Sequence, residues 1–235
     1  MIDPYENILI GNFLYSLGLV IGRHSPENHL VGAVNLLQQT PMDKALGDVL
    51  IGYPGVVRLI EFKRKSNKSE KEAIKRNLLE IALKKQPQLQ VISRMVHWYV
   101  ETEETPLEWT TRICPYIDFE KKGLTASTSF SEFTEQLAIS ALTTVEPEFP
   151  TEKVSLYFDT VATLSKKGSS SSGLLVSIDR KGALRYVAVE SIRDLSLKLH
   201  HYQDKAQERR LQLTLEREQT KEISNQKGGH SLGRW

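Results

Sequence analysis

The sequence predicts a mixed α/β fold, and three patterns indicate it. Two short apolar runs flank the turn Tyr53-Pro54-Gly55, which is typical of a β-hairpin. A charged amphipathic stretch from about Ser69 to Lys85 favours a helix, whereas a run rich in β-branched and aromatic residues from Leu89 to Val100 favours a strand. Together these patterns predict a central mixed sheet that is flanked by helices.

Two further helices are predicted before the hairpin. Asp3 and Pro4 provide an N-cap and a first-turn proline for one helix, which either braces the sheet or contacts a second copy of the chain. Ser25 and Pro26 repeat this start signal, and apolar residues then recur at helical spacing. A second helix is therefore expected over about residues 25–39.

The remaining segments are assigned by the same periodicity. In order, they are a strand over 107–119, a helix over 129–143, strands over 154–164, 173–179 and 183–189, and a mostly charged helix over about 190–224. The proline-bounded stretch 146–150 marks a boundary. The chain is therefore expected to divide into a core over residues 1–145, a C-terminal β-rich and helical extension over 151–224, and a disordered tail over 225–235.

The composition is that of a soluble globular protein, since 40% of the 235 residues are hydrophobic and 26% are charged. No apolar run approaches the roughly 18 residues that a membrane helix needs, and the acidic N-terminal residues do not resemble a signal peptide. Cys114 is the only cysteine, which excludes an internal disulfide and a zinc cluster. We expect a cytoplasmic protein with no membrane partner.

Three charged residues interrupt the otherwise apolar hairpin. Glu61 and Lys63 are two positions apart, so on a strand they point to the same face, and Asp48 on the neighbouring strand can lie a few ångströms from Glu61. Charges in an apolar setting are unfavourable unless they are paired or bound to a metal. The trio therefore predicts a site, although the triplet alone also fits an ordinary surface ion pair.

Metal-assisted hydrolysis is the chemistry that needs these residue types. Two carboxylates, those of Asp48 and Glu61, would hold Mg²⁺ (or Mn²⁺), a hard cation that prefers oxygen ligands. The ion polarises a phosphoryl oxygen and lowers the pKa of a bound water. Lys63 would orient that water or offset the charge that grows on the phosphate.

The order Asp48, then Glu61-Phe62-Lys63, resembles the PD-(D/E)XK nuclease superfamily. The core of that family runs helix, three strands, helix, strand, so the resemblance implies a restriction-endonuclease-like core over about residues 25–100. It also implies hydrolysis of phosphodiester bonds by a catalytic set that includes a glutamate on the first core helix. Glu27 matches that glutamate and Glu6 is the alternative. The family's first strand is not evident between residues 40 and 46.

A basic cluster follows the triplet, and basic residues there outnumber acidic ones. Such a cluster would attract a phosphate backbone, although it also fits a solvated helix face. The candidates for contact with nucleic acid are Arg64, Lys65, Lys68, Lys71 and Lys75.

Two classes of function stay open. The first is a metal-dependent endonuclease that acts on DNA in preference to RNA, in a defence or restriction-like system, as a homodimer or as a subunit of a multi-protein complex. The second is a non-catalytic nucleic-acid-binding or assembly subunit that retains the nuclease fold.

Overall fold

The computed structural model describes residues 5–24, 32–36, 48–53, 55–64, 70–103, 110–120, 128–144, 146–164, 173–178 and 184–189. The helices within these ranges are α1 (Glu6–His24), α2 (Glu70–Leu83), α3 (Pro87–Val96), α4 (Phe130–Thr143) and α5 (Thr151–Leu164), with a 3₁₀ turn at Tyr116–Asp118. The strands are β1 (Gly32–Leu36), β2 (Val49–Tyr53), β3 (Val56–Lys63), β4 (His97–Glu103), β5 (Thr110–Pro115), β6 (Gly173–Ile178) and β7 (Leu184–Val189).

The strands form one mixed sheet in the order β5-β4-β3-β2-β1-β6-β7. Strands β3 and β4 are parallel, and the other neighbouring pairs are antiparallel. A parallel pair requires a crossover connection, which here contains α2 and α3. The predicted mixed α/β class, a mixed sheet flanked by helices, is therefore confirmed.

Each face of the sheet packs against its own helical layer. Side chains alternate between the faces along a strand, so Leu50 and Leu59 pack with α2, α3 and α5, whereas Val49, Ile60 and Phe62 pack with α1 and α4. The candidate site must therefore belong to one of these two layers.

The predicted hairpin consists of the antiparallel strands β2 and β3, which pair from Val49↔Ile60 to Tyr53↔Val56. Gly55 in its turn has a φ of 76°, which favours glycine. A Cβ at that position would lie 2.7 Å from the backbone oxygen of Glu146. The turn thus needs glycine for its conformation and for the close passage of the 146–150 stretch.

Other predicted elements are also confirmed. The helix expected over 69–85 is α2, and the strands expected over 173–179 and 183–189 are the antiparallel pair β6 and β7. The strand expected over 107–119 is confirmed only as β5, because residues 116–118 form the 3₁₀ turn. The first helix is α1, and α4 begins with a capping box formed by Ser129 and Glu132.

The helix predicted over 25–39 is wrong where the structure describes that stretch. Residues Gly32–Leu36 form β1, which pairs with β2 on one side and β6 on the other. Backbone pairing on both sides outweighs the weak helical spacing of the local sequence. This strand also precedes the hairpin in the chain, earlier than the 40–46 stretch where none was evident.

Two predicted strands are helices instead. Residues 89–96 belong to α3, and the strand β4 begins only at His97. Residues 154–164 belong to α5. In both segments the buried side chains recur every three or four positions, as Leu89, Ile92 and Val96 do, so burial follows the helical period despite the β-branched composition.

Several predictions lie outside the described residues: the helix over 190–224, the tail over 225–235 and Glu27. The division of the chain at 146–150 stays a prediction. Within the described ranges, no helix has both the length and the apolarity required to cross a lipid bilayer.

Candidate active site

The end of the hairpin opposite its turn gathers the three predicted residues. Asp48 directly precedes β2, and its backbone N–H donates to the oxygen of Ile60 over 3.2 Å. The N–H of Phe62 donates to Oδ2 of Asp48 over 2.7 Å. Because Phe62 stands between Glu61 and Lys63, this bond fixes the Asp48 carboxylate beside both of them.

Lys63 links the two carboxylates. Its Nζ lies 2.5 Å from Oε1 of Glu61 and 3.9 Å from Oδ2 of Asp48. The carboxylates are buried and the Lys63 side chain is nearly so. The expected convergence of two acids and an amine is therefore present, on the sheet face that α2 covers.

The ionisation of this cluster is uneven. Burial raises the pKa of Glu61 well above its ordinary value, and the negative charges of Asp48 and Glu72 raise it further. Burial lowers the pKa of Lys63, but Glu61 and Asp48 raise it by more, so the net direction is upward. Lys63 therefore stays protonated, whereas burial and the neighbouring carboxylates raise the pKa of Glu61 by more than the charges of Lys63 and Lys75 lower it.

Glu72 is a functional candidate that sequence reasoning missed. Its buried carboxylate accepts a hydrogen bond from the Tyr116 hydroxyl over 2.5 Å, and its Oε2 lies 3.4 Å from Nζ of Lys75. In the sequence, Glu72 is one of the acidic residues that the basic cluster outnumbers. Its spacing from Leu79 and Leu83, which puts it on the buried face of α2, is the signal that could have found it.

A fourth carboxylate stands on the adjacent strand. Glu101 of β4 is paired with Lys63 of β3 in the parallel register, and it is buried. Nη1 of Arg112 lies 4.0 Å from its Oε2. Buried carboxylates are thus present just before β2 and on β3, β4 and α2, with Lys63 next to two of them and Lys75 and Arg112 next to the others.

The glutamate nearest to the site on a preceding helix is Glu6, the alternative to Glu27. Its Oε1 accepts from the backbone N–H of Arg64 over 3.4 Å, and its charge contributes to the raised pKa of Lys63. The Arg64 guanidinium lies 4.6 Å from the centroid of the Tyr5 ring. The first turn of α1 is therefore in contact with the end of β3.

The predicted nucleic-acid-binding residues differ in position. Lys65 and Lys68 lie outside the described residues. Arg64 is half-buried, Lys71 is exposed at the start of α2, and Lys75 points inward to Glu72. Of the described candidates, Lys71 presents its side chain most openly to solvent.

Within the described ranges, no group of three or more His, Cys, Asp or Glu side chains is arranged to hold a metal ion. Asp48 and Glu61 nevertheless fit Mg²⁺ (or Mn²⁺), because Mg²⁺ is often bound through one or two carboxylates and keeps several waters. Burial first, and then the negative charges of Asp48 and Glu72, raise the pKa of Glu61, and a divalent cation would favour the ionised form. The donor set is thus compatible with the expected ion.

Comparison of this chain with protein-family models, with curated proteins and with solved structures finds no match.

Proposed function

We propose that this protein is a metal-dependent nuclease that hydrolyses phosphodiester bonds in DNA. The observation that carries the proposal is the cluster of Asp48, Glu61 and Lys63, buried together at the end of two paired strands. The element order adds support, since α1, β1, β2 and β3 are followed by helices and then by β4 parallel to β3. That order resembles the helix, three strands, helix, strand of the PD-(D/E)XK core.

In this proposal Asp48 and Glu61 hold the ion. Bound Mg²⁺ or Mn²⁺ would polarise a phosphoryl oxygen and acidify a water. The backbone N–H of Phe62 keeps the Asp48 carboxylate in place. Lys63 is protonated and cannot accept a proton, so its role is to donate hydrogen bonds to the attacking water or to the oxygens that gain charge.

The supporting residues follow from the same geometry. Glu6 holds the backbone at Arg64, directly after Lys63. Glu72, fixed by Tyr116 and Lys75, adds negative charge behind Glu61 and so favours a cation there. Arg64 and Lys71, with Lys65 and Lys68 between them in the sequence, would contact the DNA backbone.

Plasmid cleavage tests the proposal. Purified protein is incubated with supercoiled plasmid and Mg²⁺ or Mn²⁺, alongside Glu61→Gln, Lys63→Met and the exposed control Glu135→Gln. We expect nicking or linearisation that requires the metal, is lost in the first two variants and persists in the control. Cleavage that survives both site substitutions would exclude this site.

A non-catalytic nucleic-acid-binding subunit is the second candidate. Lys63 lies only 2.5 Å from Glu61, so the chain already supplies one cation to that carboxylate. Binding of plasmid without cleavage under either metal, together with unchanged binding in Glu61→Gln, would favour this candidate.

A further inference from the structure

Helix α1 has an outward face that contains no charge. From Asn7 to Gly22 its sequence has no Asp, Glu, Lys, Arg or His. One half of the helix buries Leu9, Ile10, Phe13 and Leu17 against the sheet. The opposite half is in water, yet it presents Ile8, Tyr15 and Leu19, which are 48%, 68% and 56% exposed, and Tyr5, directly before the helix, is 67% exposed. The solvent side of a surface helix normally carries charged and polar residues.

Three glycines lie on the same outward face. Gly11, Gly18 and Gly22 fall, with Ile8, Tyr15 and Leu19, within an arc of roughly 100° at 100° per residue. Apart from the chain neighbours and the surrounding turns of the helix backbone, no residue that the structure describes has an atom within 4 Å of a Cβ built at any of the three. Glycine is the poorest helix former after proline, so nothing in the described chain accounts for these glycines. The close approach of another backbone would account for them.

We propose that the outward face of α1 binds the same face of a second copy of this chain, with the two helices antiparallel and the two-fold axis at Tyr15. A two-fold interface must be self-complementary. The outward face of α1 meets this requirement. At three levels away from the axis, a larger side chain of one copy stands across from a glycine of the other. The facing pairs are Ile8 with Gly22, Leu19 with Gly11, and Asn12 with Gly18.

The charge pattern selects a second copy over other occupants. Nucleic acid requires cations, and helices that lie on membranes are typically rich in Lys and Arg on their polar face. Within α1 the only Asp, Glu, Lys, Arg or His residues are Glu6, Arg23 and His24, outside the uncharged stretch. In a two-fold contact, any charge on the face would lie close to the same charge of the other copy. An uncharged face avoids this repulsion. Antiparallel helix dipoles also attract each other.

The available area indicates a modest interface. A buried aromatic side chain covers about 150–250 Å², so Tyr5 and Tyr15, both about two-thirds exposed, would contribute on the order of 200–300 Å² per copy. Ile8 and Leu19 add less. Standard interfaces bury about 800 Å² per partner, so α1 supplies roughly half of that. We therefore expect a concentration-dependent equilibrium between monomer and dimer.

Sedimentation of the full chain over a range of concentrations tests the proposal. Tyr15→Glu places two negative charges on the two-fold axis and should weaken the dimer at least tenfold. The matched control is Ile81→Glu on α2, which adds the same charge at a residue that is 70% exposed and should leave the dimer unchanged. A chain that is monomeric at every concentration, or a dimer that survives Tyr15→Glu, would overturn the proposal.

The Gly18→Leu variant distinguishes an effect on dimerisation from an effect on the stability of the monomer. Leucine favours the helix over glycine, so the monomer should melt at a higher temperature, while the added side chain meets Asn12 of the other copy and weakens the dimer at least tenfold. A more stable monomer with unchanged dimerisation would contradict the antiparallel register.

Cysteine cross-linking tests the register directly. The native chain has only Cys114, which is buried. Tyr15→Cys should form an intermolecular disulfide under mild oxidation, and Ile81→Cys should not. Equal cross-linking of both variants would overturn the proposal, as would flotation of a monomeric chain with neutral phosphatidylcholine vesicles.

Discussion

The β2–β3 hairpin carries buried charge at both of its ends, and the two ends handle that charge differently. At the turn end, Arg58 donates from Nη1 to Oε2 of Glu148 over 2.8 Å and from Nη2 to Oε1 over 2.9 Å. At the open end, the ammonium of Lys63 lies near the carboxylates of both Glu61 and Asp48. One cation meets one carboxylate in the first region, whereas one cation meets two in the second.

From this contrast we infer that the charge pairing at the turn end stabilises the fold, whereas the cluster at the open end serves function. A guanidinium and a carboxylate satisfy each other through two parallel hydrogen bonds, and this pair fixes the 146–150 stretch to the hairpin together with the bond from Glu148 N to Gly55 O. At the open end, burial and negative neighbours raise the pKa of Glu61, so its ionised form opposes folding. Perturbed groups of this kind are concentrated at functional sites.

Glu61→Gln should have the largest effect, because it neutralises the open end with little change in shape. Cleavage should fall about 10³-fold, equivalent to about 4 kcal/mol of transition-state stabilisation. The free energy of unfolding at pH 7 should rise. A raised pKa means that Glu61 contributes stability below its unfolded value of 4.5 and loses that contribution as pH rises through the folded-state pKa.

Plasmid cleavage and urea titration measure these two quantities. A Glu61→Gln variant that loses both stability and activity would show that the open end stabilises the fold, as the turn end does.

Glu148→Gln at the turn end should lower stability and leave cleavage unchanged, the opposite of Glu61→Gln. It leaves the Arg58 guanidinium buried without its carboxylate, so the free energy of unfolding should fall by about 3 kcal/mol. Cleavage per folded molecule should not change. Urea titration beside the exposed control Glu135→Gln measures the loss, and a large drop in activity would remove the contrast between the two ends.

His97 is a buried, neutral group that belongs to neither end of the hairpin, and its effect on stability can be compared with theirs. Burial, with the charge of Lys75, lowers its pKa from 6.5 to about 3. The unfolded chain therefore binds one more proton below pH 6.5, and this contribution to stability is lost as pH falls towards 3. Between pH 7 and 4.5 the loss is about 2–3 kcal/mol.

Urea titrations at the two pH values measure this loss. His97→Gln should show a correspondingly smaller acid sensitivity, whereas His24→Gln, an exposed control on α1, should behave as the native chain does. Equal acid sensitivity in all three proteins would show that other groups govern it.

The smallest effect is expected in DNA binding. Lys71→Gln, at the open end, should weaken affinity severalfold and reduce the slope of log affinity against log salt by about 1. Lys153→Gln is the matched control, since it removes an exposed lysine of α5 near the turn end. Filter binding at several salt concentrations distinguishes them, and equal losses would argue against a DNA path over the open end.

The hairpin and its charges were predictable because the contacts are local. Asp48 and Phe62 are 14 positions apart, and the turn glycine between them marks the reversal. Alternation then places Glu61 and Lys63 on one face without any knowledge of the remaining fold. The position of Lys63 beside two acids follows from the same register.

The missed features depend on distant partners. The sequence of β1 is too short to distinguish a strand from a helix, and its pairing with β2 and β6 decides the matter. Val91 and Ile92 suggested a strand by composition, although burial in α3 follows the helical period. Glu72 became a candidate only when α2 was placed over β3 and Tyr116 was found beside it.

The local closure of the hairpin has a consequence for the order of folding. Hairpins form in about 1–10 μs, whereas β4 reaches β3 only after a crossover that contains two helices, and such long-range parallel pairing is slow. We therefore expect the acids and the amine to meet while water still surrounds them, and to lose that water only when α2 docks.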